Sequence, residues 1–249
     1  MGNANVSCLL HWGAPVKINE VFGPTIQGEG PSAGQAAVFV RLWGCNLDCT
    51  WCDTPYTWDV SGKNGEQFPR DTNSTSKSAE DVWDDVLALT HYQPSLLVIT
   101  GGEPLTQPEA VSELASLAIH AGWRVEIETN GTRPPLAELS PNLSYRVSPK
   151  LPSAQTTRES INLDVLRQFA RRRSAAFKFV ATGVDDLDAI EQVQVAGRIP
   201  ARHIWVMPEG ITTDAVLTGA RVLVDEVTAR GWNLTLRNHV LLWGNERGR

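Results

Sequence analysis

Short apolar runs rich in β-branched residues alternate along the chain with longer amphipathic stretches, separated by polar or glycine-containing turns. The runs at 37–43, 96–100, 125–129, 143–148, 176–180 and 203–207 predict six strands, and the stretch 234–243 predicts a last one. Helix starts are marked as clearly. Ser78 precedes Asp81 at capping spacing, and Val82, Val86 and Leu89 then share one face. Thr106 precedes Glu109 in the same way, with Pro108 in the first turn and Gly122 near the end. Further helices are predicted at 162–172, 185–195 and 213–229, the last stopping at Gly231.

This alternation predicts an α/β fold with a parallel sheet and helices outside it. Six or seven strand–helix repeats suit a partial or distorted (β/α) barrel of about six parallel strands with outer helices. In such a fold the chemistry collects at the carboxyl ends of the strands. The 249 residues are read as one domain, with 1–17 a loosely ordered N-terminal segment and the polar stretch 61–77 a surface insertion without an assigned role.

Composition narrows the function by exclusion. The net charge of -6 argues against nucleic acid, whose binding needs clustered Lys and Arg. The one basic run, Arg171-Arg172-Arg173, reads as a solvated helix end. Apolar runs are too short to span a membrane and the first residues lack a secretion pattern, so a cytoplasmic protein is expected.

Cysteine is more informative. Of four cysteines, Cys45, Cys49 and Cys52 fall within eight residues, whereas Cys8 stands alone with no assigned role. In a reducing compartment such a triad reads as metal-binding or catalytic rather than disulfide-forming. Three thiolates on one loop suit an iron–sulfur cluster, because soft sulfur ligands select it. A structural zinc remains open as an alternative. It wants four ligands, and His91 or His120 could supply the fourth, although both fall on helical patterns.

The C-x3-C-x2-C spacing, with aromatic Trp51 before the third cysteine, resembles the radical S-adenosylmethionine superfamily. The resemblance implies a [4Fe–4S] cluster with one iron left open for the amino and carboxylate groups of S-adenosylmethionine. A second signature, Gly101-Gly102-Glu103-Pro104, follows a predicted strand. It implies a cosubstrate-binding edge made by the backbone of Gly101 and Gly102 and by Glu103, with glycines allowing close approach of the ligand.

Further segments narrow the likeness: Gln27-Gly28-Glu29-Gly30 upstream, Val38 to Gly44 leading into the triad, and Asp53-Thr54-Pro55-Tyr56 after it. With Glu128-Thr129-Asn130-Gly131, Ser148-Pro149-Lys150, Met207-Pro208-Glu209-Gly210 and Leu241-Leu242-Trp243-Gly244, they resemble the 7-carboxy-7-deazaguanine synthases. That family converts 6-carboxy-5,6,7,8-tetrahydropterin to 7-carboxy-7-deazaguanine with loss of ammonia. The resemblance implies a pterin substrate held by Gln27, Glu29, Arg41, Thr100 and His239, with Arg41 on its carboxylate. It also implies Mg2+ at Thr54, and S-adenosylmethionine contacts from Trp51, Thr129, Asn130, Ser148, Lys150, Met207 and Glu209. A homodimer and an electron donor such as flavodoxin or ferredoxin follow from it too. Two rivals stay open: an activating enzyme that installs a glycyl radical on a partner protein, and a zinc-stabilised interaction module without catalysis.

Overall fold

The computed structural model describes residues 13–90, 96–137 and 140–249; Cys8, His91 and most of the expected loose N-terminal segment lie outside them. Among the described residues nine strands form one sheet in the order β3-β1-β2-β4-β5-β6-β7-β8-β9. β1 (Val16–Ile26) and β3 (Thr75–Lys77) make an antiparallel edge. From β2 (Ala36–Leu42) onward every pairing is parallel, through β4 (Leu96–Gly101), β5 (Arg124–Thr129), β6 (Leu143–Val147), β7 (Ala175–Ala181), β8 (Ile204–Pro208) and β9 (Asn233–Leu234). The open parallel sheet is the expected fold with an extra antiparallel hairpin at its start.

Outside the sheet run α2 (Ala79–Ala88), α3 (Pro108–His120), α4 (Leu163–Ala170), α5 (Asp185–Gly197) and α6 (Thr213–Ala229); α1 (Arg70–Asn73) and α7 (Asn238–Trp243) are short. Ser78, Asn162 and Thr212 cap α2, α4 and α6, each side chain accepting a backbone N–H of the first turn. Thr106 does not cap α3. Its hydroxyl closes the preceding turn on the Glu103 carbonyl, and Gln107 takes the cap position. The Gln107 amide is used elsewhere, accepting from Lys17 N–H at 2.8 Å and donating to the carbonyls of Lys17 and Trp43 at 3.1 and 3.2 Å.

Each parallel strand has two different faces, because successive side chains point to opposite sides. Val38, Val40 and Leu42 of β2, Leu97 and Ile99 of β4, Val125 and Ile127 of β5, and Phe177 and Phe179 of β7 join the main core, together with Val82, Leu114, Leu166 and Leu223 from the helices. The intervening positions form the inner face. They carry a small apolar cluster at one end (Ala37, Phe39, Leu96, Val98) and polar groups elsewhere, among them Arg41, Thr100, Glu126, Arg146 and Lys178.

Three expectations change. The stretch 234–243 is not a strand: β9 has two residues, and the apolar run after it is α7, with Val240 buried and Leu242 exposed. A short apolar run does not distinguish strand from helix by periodicity. Residues 16 and 17, placed in the loose segment, instead begin β1, with Val16 fully buried. The stretch 61–77 ends in α1 and β3, so its last residues extend the sheet rather than leaving its surface.

Candidate active site

At the carboxyl ends of the strands a cavity of about 280 Å³ opens on the inner face. The loop after β2 brings Cys45, Cys49 and Cys52 to its wall, none of them in a disulfide. Cys49 packs with Leu47 and Ala154, against which Cys45, Trp51 and Cys52 also lie. This wall is soft-sulfur in donors and apolar in its surroundings, which fits a [4Fe–4S] cluster held by three thiolates. A cubane spreads such ligands over separate irons, so the sulfurs need not converge on one point. Among the described residues no group of three or more His, Cys, Asp or Glu converges as a single-ion site would require. His120 is exposed, its Nδ1 2.7 Å from the Ser116 carbonyl. Burial pushes the Cys45 thiol up to about 12 and raises those of Cys49 and Cys52, so each binds iron only by giving up its proton.

The cluster loop is tied from several sides. The Trp51 indole donates to the Ser153 carbonyl at 3.0 Å, and Thr50 N–H to that of Ala154 at 3.1 Å. Asp48 accepts from Thr156 Oγ1 (2.6 Å), Thr157 N–H (2.9 Å) and Lys63 Nζ (2.8 Å). Asn130 Nδ2 donates to Asn46 Oδ1 at 2.9 Å.

Gly101 and Gly102 line the cavity beside the triad, but protein is what demands their lack of a side chain. A Cβ at Gly101 would lie 2.2 Å from the Leu42 carbonyl oxygen, and one at Gly102 would lie 2.1 Å from that of Gly44. Gly101 also sits at φ +133, where glycine is favoured. The close approach expected toward a ligand is therefore, first, an approach of β4 to the cluster loop. Glu103 is fully buried and does not line the cavity. Its carboxylate accepts from Leu105 N–H (2.9 Å), Thr129 Oγ1 (2.8 Å) and Asn130 N–H (2.6 Å), bracing the ends of β4 and β5 together. Burial still raises its pKa.

Thr129, Asn130, Ser148, Lys150 and Met207 line the cavity at the ends of β5, β6 and β8; Glu209 follows β8 outside the lining. Lys150 Nζ donates to Ser148 Oγ at 2.9 Å and lies 6.0 Å from the centre of the Trp51 ring. Thr54 also lines the cavity, its Oγ1 3.7 Å from Cys52 Sγ.

The same cavity is lined by a network of charges. Glu29 pairs with Lys178 Nζ and with Arg237 Nε (3.0 Å), and His239 Nε2 stands 3.8 Å away. Arg237 also donates to the Gly210 carbonyl at 2.8 Å and pairs with Asp53. Burial raises the Glu29 pKa, but Lys178, Arg237 and His239 outweigh it and hold the carboxyl well below the usual range. Lys178 is correspondingly raised: burial alone would lower it, and Glu29 and Glu128 reverse that. Gln27 sits under this network. Its Nε2 donates to Glu126 (2.6 Å) and Glu128 (3.1 Å), and its Oε1 accepts from Glu29 N–H at 3.2 Å. Thr100 Oγ1 donates to the other oxygen of Glu128 at 2.7 Å. Arg41 donates from Nε to Glu20 at 2.8 Å and lies against Phe22 and Tyr56. Gly28 makes room for His239, whose Nδ1 would lie 2.0 Å from a Cβ there.

The structure thus brings Gln27, Glu29, Arg41, Thr100 and His239 to one cavity with the triad. It adds residues that the sequence reading missed: Asp53, Glu128, Lys178 and Arg237. A signal existed for two of them. Glu128 and Lys178 interrupt apolar strands, and a charge there is rare unless paired.

The Radical SAM superfamily model matches residues 43–189. A 7-carboxy-7-deazaguanine synthase from Pyrobaculum aerophilum is 35% identical over 236 residues, covering 94% of this chain and 97% of that protein. One from Bacillus subtilis is 32% identical over 253 residues, covering 94% and 98%. The crystal structure of QueE from Escherichia coli superposes with a TM-score of 0.69 at 28% identity, covering 90% of this chain and 95% of that one. Near-complete coverage of relatives that share one name decides against the glycyl-radical and zinc-module rivals. It also makes a [4Fe–4S] cluster and S-adenosylmethionine the cofactors of the cysteine wall, and the protein an enzyme acting on a small molecule. The chain belongs to the 7-carboxy-7-deazaguanine synthase family of the radical S-adenosylmethionine superfamily.

Proposed function

We propose that this protein catalyses the Mg2+-dependent ring contraction of 6-carboxy-5,6,7,8-tetrahydropterin to 7-carboxy-7-deazaguanine with release of ammonia. The observation that carries the reading is one cavity lined both by the three thiols and by paired cations and carboxylates. When bound, the cluster and S-adenosylmethionine supply the one-electron chemistry that opens a C–H bond too weakly acidic for a side-chain base.

The residues of the chain bind and orient. Arg41 has its Nε tied to Glu20, which leaves its terminal nitrogens for the substrate carboxylate in the forked geometry guanidinium favours. Glu29 stays a charged acceptor for the amino and N–H edge of the pterin, held in that state by Lys178 and Arg237, and Glu128 offers a second carboxylate beside it. Gln27 and Thr100 fix the Glu128 carboxylate from both oxygens, and Gln27 also accepts the Glu29 backbone N–H, so orientation is set before the substrate arrives. Asn130, Ser148 and Lys150 offer polar groups to the ribose and carboxylate of S-adenosylmethionine, beside Trp51. Thr54, which lines the cavity, would offer one hydroxyl oxygen to a Mg2+, a hard cation that takes oxygen ligands. The reading includes a homodimer and a low-potential carrier of the flavodoxin or ferredoxin kind as reductant.

The test is an anaerobic assay of reconstituted protein with dithionite, S-adenosylmethionine, Mg2+ and 6-carboxytetrahydropterin, read by mass spectrometry with Cys49→Ala as control. Product from the wild type alone is expected. Slow 5′-deoxyadenosine without the deazapurine would overturn the substrate assignment, and an equal yield with and without Mg2+ would remove the metal.

A further inference from the structure

Of the three cluster cysteines, Cys52 is approached by a side-chain N–H. The Trp58 indole Nε1 donates to Cys52 Sγ at 3.3 Å, six residues along the chain. The Thr54 hydroxyl and backbone N–H stand near the same sulfur. Cys45 Sγ, by comparison, receives the backbone N–H of Leu47 at 3.4 Å.

Trp58 is not left to find this position by chance. Its backbone N–H donates to the Pro55 carbonyl at 3.0 Å, and Gly44, the residue before Cys45, donates to the Thr57 carbonyl at 2.7 Å. The next residue, Asp59, is fully buried. Its carboxylate collects the backbone N–H groups of Ser61 (3.2 Å), Gly62 (2.9 Å), Lys63 (3.1 Å) and Asn64 (2.7 Å) into one turn. That turn returns to the cluster loop: Asn64 Nδ2 donates to the Cys49 carbonyl at 3.1 Å and Lys63 Nζ to the Asp48 carbonyl at 2.6 Å. The start of the 61–77 stretch, to which the sequence assigns no role, is thus clasped to the backbone of one ligand position, Cys49, and of its neighbour Asp48.

We infer that Trp58 is a positioning residue for the cluster, whose indole N–H on Cys52 Sγ raises the reduction potential of the iron–sulfur centre. The physical reason is general. A hydrogen bond to a ligand sulfur draws electron density from it, so the more negative, reduced cluster gains more from the bond than the oxidised one. No new redox step is involved, since the same one-electron couple is moved along the potential scale. The inference rests on the cluster ligands and is independent of the substrate assignment.

Trp58→Phe removes the donor and keeps an aromatic ring. Its midpoint potential, followed by EPR in an anaerobic titration without S-adenosylmethionine, is expected to move negative of the wild type at equal iron content per chain. Trp58→His returns an N–H and is expected to recover part of the shift. An unchanged or positive shift in Trp58→Phe at equal iron content overturns the inference. Should that variant not retain iron, the wild type decides. With 15N-indole-labelled tryptophan, pulsed EPR of the reduced cluster is expected to show a 15N coupling, and its absence overturns the inference.

Discussion

Glu29→Gln removes the carboxylate at the centre of the inner charge network while keeping its shape. In the wild type Lys178 and Arg237 both pair with Glu29, and the side chains of all three are about nine-tenths buried, at 10%, 8% and 11% exposure for Lys178, Arg237 and Glu29. The substitution affects them unequally. Arg237 keeps Asp53 and the Gly210 carbonyl in direct contact, whereas Lys178 keeps only the more distant attractions of Glu128 and Asp53. Deleting one partner of a buried pair costs roughly 3–5 kcal/mol, because the surviving charge is desolvated without compensation. The glutamine oxygen still accepts one hydrogen bond, so the low end applies, about 3 kcal/mol. At this chain length that corresponds to a melting temperature lower by roughly 6–12 °C. The assay is anaerobic calorimetry on cluster-loaded protein with matched iron content, so that cluster loss does not enter. The diagnostic step is Glu29→Gln/Lys178→Met. It removes the stranded cation, and replacing a whole buried pair by apolar groups is often neutral or better. The double variant should therefore melt above Glu29→Gln alone. If it melts lower, or if Glu29→Gln melts within about 2 °C of the wild type, the pair is not a desolvated one and the reasoning fails.

Two further expectations follow from the site. Gly102→Ala drives a Cβ into the Gly44 carbonyl, backbone that cannot move without shifting Cys45; it should purify with substoichiometric iron and weak cluster absorbance, whereas Gly183→Ala, with nothing within 4 Å, should match the wild type. His239 has its pKa lowered by burial, against the opposing charge of Glu29, with Arg237 and Lys178 lowering it further and Asp53 raising it. The unfolded chain then takes the proton first, so stability from this residue is present above about 6.5 and is lost as pH falls through the lowered folded value. His239→Gln should flatten that part of the melting temperature against pH, while an unchanged slope would place its origin elsewhere.

What the sequence disclosed and what it concealed divide along a physical line. The parallel strands were legible because burial on both faces demands continuous β-branched runs, and the cysteine triad because iron–sulfur ligation leaves its spacing in one short segment. The charge network left no such trace. Lys178 and Glu29 are 149 residues apart and Arg237 and Glu29 are 208 apart, so their pairing exists only once β7 and the segment before α7 are folded against the Gln27 loop. Arg237 was obscured further because the run around it reads as a strand, in which its side chain would have no assigned partner. Glu103 shows the opposite failure. Its place after Gly101-Gly102 reads as a ligand-binding carboxylate, yet among the described residues the bonds of that carboxylate go to Leu105, Thr129 and Asn130. A motif conserves residue type and spacing without recording which way a side chain faces. The same Gly-Gly-Glu segment therefore serves equally to seat β4 against the cluster loop, and that requirement alone would impose both glycines at the distances found here.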